Sequence, residues 1–179
     1  MKLDLNKLPV TPALRVLKEA GVTYEALVYE YVERAGTTRI ADVFGFDEHH
    51  IIKTLIMETD SKKPFVILMH GDRSVSLKNM ARYLGVKTVA PCDPVQAERN
   101  SGYKCGGTSP FGTRKKMPVY VEKSILALDS IYINGDHRGL GRAGTADSCQ
   151  PRQQRPPGQH LRHVPECRCL HDPGLLSTD

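Results

Sequence analysis

The chain has no tryptophan, few aromatic residues and no long apolar run, and each shortage removes a class of protein. Without tryptophan, a core must rest on aliphatic side chains supplemented by 7 tyrosines and 4 phenylalanines. The most apolar stretches, such as Phe65-Val66-Ile67-Leu68-Met69, fall far short of the roughly 18 residues a membrane helix requires. The amino terminus, Met1-Lys2-Leu3-Asp4-Leu5-Asn6-Lys7, carries charges where an export signal needs an apolar run. A cytoplasmic protein is the expectation. Cysteines number 5, an odd count without secretory context, so a disulfide framework is not expected. Neither a P-loop nor a strand-borne G-x-G-x-x-G is present, which argues against those two nucleotide-binding motifs.

What the chain does have is a basic balance, a formal charge of +5 and a pI near 9.0. Such a surface either attracts a polyanion, because each neutralised phosphate releases counterions, or is a solvated face with no partner. Its 179 residues suffice for one domain with a real core.

The chain divides by residue type rather than by charge. Residues 141–179 contain no Phe, Tyr, Trp, Ile, Met or Lys, and all basic residues there are arginines. That tail is rich in Pro and Cys and cannot bury enough apolar surface to offset an ordering entropy of about 1–2 kcal/mol per residue, so no regular structure is expected in it. Residues 1–140 carry clear local signals. Thr11-Pro12 and Asp93-Pro94 each place a capping side chain before a proline, which predicts helices over 12–20 and from 94 to about 99. Ser76 caps a helix that runs through Tyr83 and stops at Gly85, and a short helix is expected over 38–44.

Residues 51–58 and 64–70 are β-rich runs separated by Thr59-Asp60-Ser61-Lys62-Lys63, the pattern of a hairpin of central strands. Further strands are expected over 23–31, 87–90, 119–121 and 130–134. Strands and helices mix without a regular β-α-β period. An α+β (mixed α/β) domain built on a curved mixed β-sheet or partial barrel flanked by helices fits this order.

Two segments stand out chemically. Gly102-Tyr103-Lys104-Cys105-Gly106-Gly107-Thr108-Ser109-Pro110-Phe111-Gly112 specifies a tight irregular backbone. It is either an ordinary turn or a cradle whose N–H groups hold an anion or a carbonyl oxygen. Lys53 interrupts the apolar strand Ile51-Ile52-Lys53-Thr54-Leu55-Ile56-Met57 and by alternation shares a face with Leu55 and Met57. Either it snorkels to water or it lines a cleft. His49, His50 and His70 invite a metal reading, but no third ligand stands at a recognisable spacing, and no metal is expected. In the tail, His163, Cys167, Cys169 and His171 have the wrong spacing for a zinc site, and Cys92 and Cys105 have no base that sequence identifies.

In order and spacing, these residues resemble the YbaK-type Cys-tRNA(Pro) deacylases. The resemblance is carried by Thr11-Pro12-Ala13, Tyr29-Glu30, Ile52-Lys53-Thr54-Leu55, Leu77-Lys78-Asn79-Met80-Ala81, Leu84-Gly85, Asp93-Pro94 and Gly102-Tyr103. The decisive block is Gly106-Gly107-x-Ser109-Pro110-x-Gly112 with Lys115-Lys116 and Pro118, and the match closes on Ile131-Tyr132-Ile133-Asn134-Gly135-x-x-Arg138-Gly139-Leu140.

The resemblance implies an editing enzyme, working without metal or organic cofactor, that removes a wrong amino acid, most often cysteine, from tRNA(Pro). Prolyl-tRNA synthetase is a further implied partner. It assigns catalysis to Lys53, Gly106, Gly107, Ser109 and Pro110 and substrate binding to Tyr29, Thr108 and Arg138. Lys104, Arg114, Lys115 and Lys116 either contact tRNA phosphates or form a solvated basic loop. The match stops at Leu140: Gly141 stands where the family has an acid, and the tail that follows points to a shifted reading frame. An editing domain over 1–140 and an atypical tail over 141–179 is therefore the expected division. An impaired tRNA or aminoacyl-ligand binder, or a non-functional product, is the alternative.

Overall fold

The computed structural model describes residues 10–22, 24–29, 36–135, 140–144, 167–170 and 176–177; Arg138 lies outside them. Local chemistry accounts for the elements in chain order. Helix α1 (Pro12–Glu19) starts where Thr11 Oγ1 accepts the Leu14 N–H at 3.2 Å, and the same hydroxyl donates to Gly135 O at 2.9 Å, tying the helix to the end of a distant strand. Strand β1 (Tyr24–Val28) and helix α2 (Gly36–Phe44) follow. A 3-10 turn (Glu48–His50) then leads into β2 (Ile51–Thr59), which folds back through the polar turn onto β3 (Pro64–His70). Strand β4 (Ser74–Val75) precedes α3 (Leu77–Leu84), capped by Ser76 and closed by Gly85. Next come β5 (Val89–Pro91) and α4 (Pro94–Ser101), where Asp93 accepts from the Val95 and Gln96 amides. Strand β6 (Val119–Glu122), a 3-10 turn (Lys123–Ala127) and β7 (Ile131–Asn134) complete the body.

The sheet is mixed and open. Its order is β1, β8 (Leu140–Gly144), β7, β2, β3, β6 and β9 (Cys167–Leu170), with β5 also paired to β2. Strands β2 and β3 form the hairpin, from Ile52 opposite His70 to Glu58 opposite Pro64, while β7 lies parallel to β2 and β6 parallel to β3. Three segments of the tail left without regular structure by the sequence reading carry strand backbone: 141–144 within β8, 167–170 in β9 and 176–177 in β10 (Leu176–Ser177), which pairs β4. Ladder bonds use main-chain groups only, so a composition too polar for a core still permits them.

Both faces of the sheet are covered. One face packs Ile52, Ile56, Val66, Leu68, Val121 and Ile133 against Ala13 and Leu17 of α1 and Ala97 of α4. The other packs Met57, Ile67, Met69 and Tyr120 against Met80 and Ala81 of α3. Among the described residues no helix is long and apolar enough to cross a membrane.

The pairing of β2 is interrupted along one side. Strand β3 pairs it from Ile52 to Glu58 on one side, but on the other β7 pairs only Ile51 and Ile52, and β5 only Met57, Glu58 and Thr59. Residues 53–55 face a gap between two partner strands.

The loop after α4 closes onto α1 by direct backbone contact. Gly112 has φ +65°, and a Cβ there would lie 2.8 Å from both C and O of Pro12. Gly112→Ala is expected to lower stability by roughly 1–3 kcal/mol, since neither backbone can give way, and chemical denaturation monitored by circular dichroism measures it.

Candidate functional site

A cleft of about 410 Å³ opens at the gap in the sheet. Lys53, Leu55 and Met57 reach it from one face of β2 and Thr54 and Ile56 from the other. Leu77, Pro91, Pro94 and Ala97 line it with apolar surface, and Cys105, Gly106 and Thr108 line it from the glycine loop. An apolar cavity with a few converging polar groups is the ordinary form of a small-ligand site.

Among the described residues Lys53 is held by backbone: Nζ donates to Gly71 O at 2.8 Å and to Arg73 O at 2.6 Å. An ammonium has three donors, so one remains for a ligand in the cleft. Burial pushes the Lys53 ammonium below the ordinary lysine value of 10.5, against the carboxylates of Glu48 and Asp72, which raise it.

The glycine loop is anchored at each end. Tyr103, 2% exposed, donates its hydroxyl to Phe111 O across the loop, and Ser101 Oγ donates to Ala97 O at 2.7 Å and accepts from Tyr103 N at 3.1 Å. Cys105 N–H is committed to Glu98 Oε1 at 3.1 Å and Gly107 N–H to Lys104 O at 3.0 Å. Neither amide is therefore available to a ligand.

The structure brings Lys53, Gly106 and Thr108 to one cleft and leaves the other expected residues among those described elsewhere. Ser109 is fully buried and its Oγ accepts from Phe111 N at 3.4 Å; Gly107 and Pro110 are also buried and do not line the cleft. Tyr29 stands outside the cleft lining, edge-on to Phe44 at 6.2 Å between ring centres, in a row continued by Phe46 and Tyr132. Lys104, Arg114, Lys115 and Lys116 are exposed, the last three on a strand of loop whose Arg114 and Lys115 amides bond to Ser101 O and Asn100 O. They flank the C-terminal end of α4, beside the loop that closes the cleft.

Sequence reasoning missed two polar groups. Asn134 Nδ2 donates to Gly106 O at 3.5 Å. That leaves Asn134 Oδ1 buried without a partner among the described residues, and Thr54 Oγ1, on the cleft wall, is in the same state. Buried polar atoms left unpaired are uncommon and point to a bound group. The signal in sequence was present but mute: Thr54 follows Lys53, and Asn134 ends a strand 80 residues on.

Two other candidates resolve differently. His49, His70 and Asp72 bring ligand atoms within 4.8 Å of one another, a third residue the spacing did not reveal. The two rings, however, stack 3.7 Å apart at 11°, so their in-plane lone pairs run parallel and do not converge on one ion. Cys92 donates its thiol to Glu58 Oε2 at 3.6 Å, and burial, then Glu58, push that thiol up, away from the thiolate a nucleophile needs.

Because the Tyr103 hydroxyl closes the loop, Tyr103→Phe is expected to cost about 1–2 kcal/mol and to speed amide exchange at Gly106 and Thr108. Hydrogen exchange measured by mass spectrometry separates that local loosening from global unfolding.

The sequence profile of the aminoacyl-tRNA editing domain matches residues 33–140. Over 131 residues the chain is 27% identical to EbsC of Enterococcus faecalis, named as a Cys-tRNA(Pro)/Cys-tRNA(Cys) deacylase, a match spanning 73% of this chain and 80% of that protein. It is 28% identical over 132 residues to the proline–tRNA ligase of Thermodesulfovibrio yellowstonii, covering 70% of this chain and 22% of the ligase. A solved structure described as a trans-editing enzyme for prolyl tRNA synthetase has the same fold, with a TM-score of 0.67 at 17% identity over 78% of this chain and 90% of the other. With its profile matched over more than half of its length and the sheet, flanking helices and glycine loop in place, the chain belongs to the aminoacyl-tRNA editing domain family.

Proposed function

We propose that this protein is a deacylase that removes a wrongly attached amino acid, most often cysteine, from tRNA(Pro). The observation that carries the reading is a charged donor at one small cleft, with polar atoms in and beside it that have no partner among the described residues. Lys53 supplies the donor, and Thr54 Oγ1 and Asn134 Oδ1 supply the acceptors. An aminoacyl ester presents the complement: a carbonyl oxygen that accepts and an α-ammonium that donates. The name of the Enterococcus relative supports the same substrate class.

In this reading the Lys53 ammonium polarises the ester carbonyl, and Gly106 and Thr108 form the wall that orients it. A cysteinyl substrate brings its own nucleophile. Its sulfur bonds to the carbonyl carbon, the carbon–oxygen bond to the ribose breaks, and the tRNA hydroxyl leaves with the thiol's proton, giving a cyclic thiolactone. For alanine, water attacks instead. Gly107, Ser109 and Pro110 act by shaping the loop, Tyr29 and Arg138 are assigned to the substrate, and Lys104, Arg114, Lys115 and Lys116 to acceptor-stem phosphates. We assign the editing domain to residues 1–140 and 141–179 to a separate tail, and prolyl-tRNA synthetase as a partner that delivers the substrate.

The test is release of labelled cysteine and alanine from Cys-tRNA(Pro) and Ala-tRNA(Pro). Lys53→Ala should lower turnover by about a hundredfold or more; undiminished turnover would remove Lys53 from the chemistry. No release by cooperatively folded wild-type protein would leave a binder in place of an enzyme, a reading that Gly141, standing where the family has an acid, would then explain.

The pH dependence follows from the same group. The charged form of Lys53 does the work, and burial lowers its titration, so its contribution to release is largest at low pH. It falls as pH rises through the folded-state value, below 10.5. Rates corrected for spontaneous ester hydrolysis report it.

A further inference from the structure

Two backbone carbonyls hold the Lys53 ammonium, and they bracket a single residue, Asp72. A turn at the end of a strand is not rigid on its own, so the precision of Lys53 depends on what holds residues 71–73. Three ties do. Both oxygens of Asp72 accept from His49 Nδ1 at 3.0 Å. His70, 1% exposed at the end of β3, donates from Nδ1 to the His49 carbonyl at 2.6 Å and sets its other nitrogen against Glu122 Oε2 at 3.0 Å and Ser124 Oγ at 2.7 Å. The two imidazoles stack face to face.

The third tie is steric. A Cβ on Gly71 would stand 2.6 Å from Glu48 O and 2.8 Å from Glu48 Cγ, so the turn lies flat against the 3-10 turn that carries His49. Thr37 Oγ1 secures Glu48 in turn, donating to Oε1 at 2.6 Å. A buried histidine among the apolar residues of β3 is an expensive choice for a strand that packs well with isoleucine and methionine. Its hydrogen bonds fix His49, and His49 fixes Asp72.

We propose that Asp72 and His49 are positioning residues for Lys53: their pairing locks the turn whose carbonyls grip the ammonium, so that its free proton points into the cleft. The consequence for turnover rests on the deacylase reading; the placement of Lys53 in the free protein does not. The charged groups facing this turn are Glu48, Arg73 at 3.6 Å from Asp72 Oδ2, and Glu122 behind His70. Burial pushes Asp72 upward, but the hydrogen bond and charge of His49, with Arg73, outweigh it and hold the carboxyl below its ordinary value. The carboxylate therefore stays charged at neutral pH and supports the charge on Lys53.

The experiment uses the full chain with 13C,15N-labelled lysine, the Lys53 signals being identified by their loss in Lys53→Arg. In Asp72→Asn, the Lys53 titration should move to lower pH, because a carboxylate that raised it is gone. Release of cysteine from Cys-tRNA(Pro) should fall roughly tenfold to a hundredfold, mostly in kcat, with KM changed by less than about threefold. His49→Ala should behave similarly, and His49→Gln, whose amide still donates, should recover part of the loss. A merely structural pair would lower the melting temperature and, in His49→Ala, leave the Lys53 titration where it is. Loss of the charge alone moves the titration in Asp72→Asn, so His49→Ala, which keeps that carboxylate, decides: an unmoved titration there overturns the proposal, whatever happens to turnover. A moved titration in a protein whose wild type releases no amino acid leaves the positioning standing and removes the deacylase reading.

Discussion

A lysine ammonium set into a strand of isoleucine, leucine and methionine keeps its charge only if oxygen atoms replace the water it gives up. In this fold those oxygens are the carbonyls of Gly71 and Arg73. Their use constrains the neighbourhood widely. The turn must return after β3 to the side of β2 that carries Lys53, residue 71 must have no side chain, and the 3-10 turn before β2 must lie against it. The hairpin register, with Lys53 opposite Met69, brings the turn within reach.

The sheet supplies the other half of the site by leaving β2 partly unpaired. A continuous neighbour along residues 53–55 would fill the cleft with backbone. Instead β7 stops after Ile52 and β5 starts at Met57, and the loop after α4 folds over the opening. That loop is stiff because its polar groups are spent inward, on Tyr103, Ser101 and Glu98. What remains without a partner among the described residues, on Thr54, Asn134 and one donor of Lys53, is left for a ligand. The Lys53 donor and the acceptors on Thr54 and Asn134 match the two ends of an aminoacyl ester.

The local parts of this arrangement were legible in sequence and the non-local parts were not. Thr11-Pro12, Ser76 with Gly85, and Asp93-Pro94 mark their helices because capping is settled within a few residues. The hairpin could be read from two apolar runs and a polar turn, and Lys53 from its interruption of the alternation. Pairing of β2 with β7 and β5 depends on segments tens of residues away, so the gap could not be foreseen. The same holds for His49, His70 and Asp72, whose union depends on the hairpin bringing two strand ends together. Spacing also could not say which residues of the glycine loop line the cleft: Gly106 and Thr108 do, whereas Gly107, Ser109 and Pro110 are buried away from it. In the tail, composition spoke to side-chain burial and was silent on main-chain pairing.

The central claim is that the cleft between Lys53 and the glycine loop holds the aminoacyl end of tRNA. The most direct test is chemical-shift mapping with cysteinyl-3′-amino-adenosine, whose amide link cannot be cleaved as the ester is. The account predicts saturable shifts at Lys53, Thr54, Gly106, Thr108 and Asn134, with the shifts at the loop surviving in Lys53→Ala at weaker affinity. Saturable binding that moves other signals and leaves these five unchanged would place the ligand elsewhere and contradict the account.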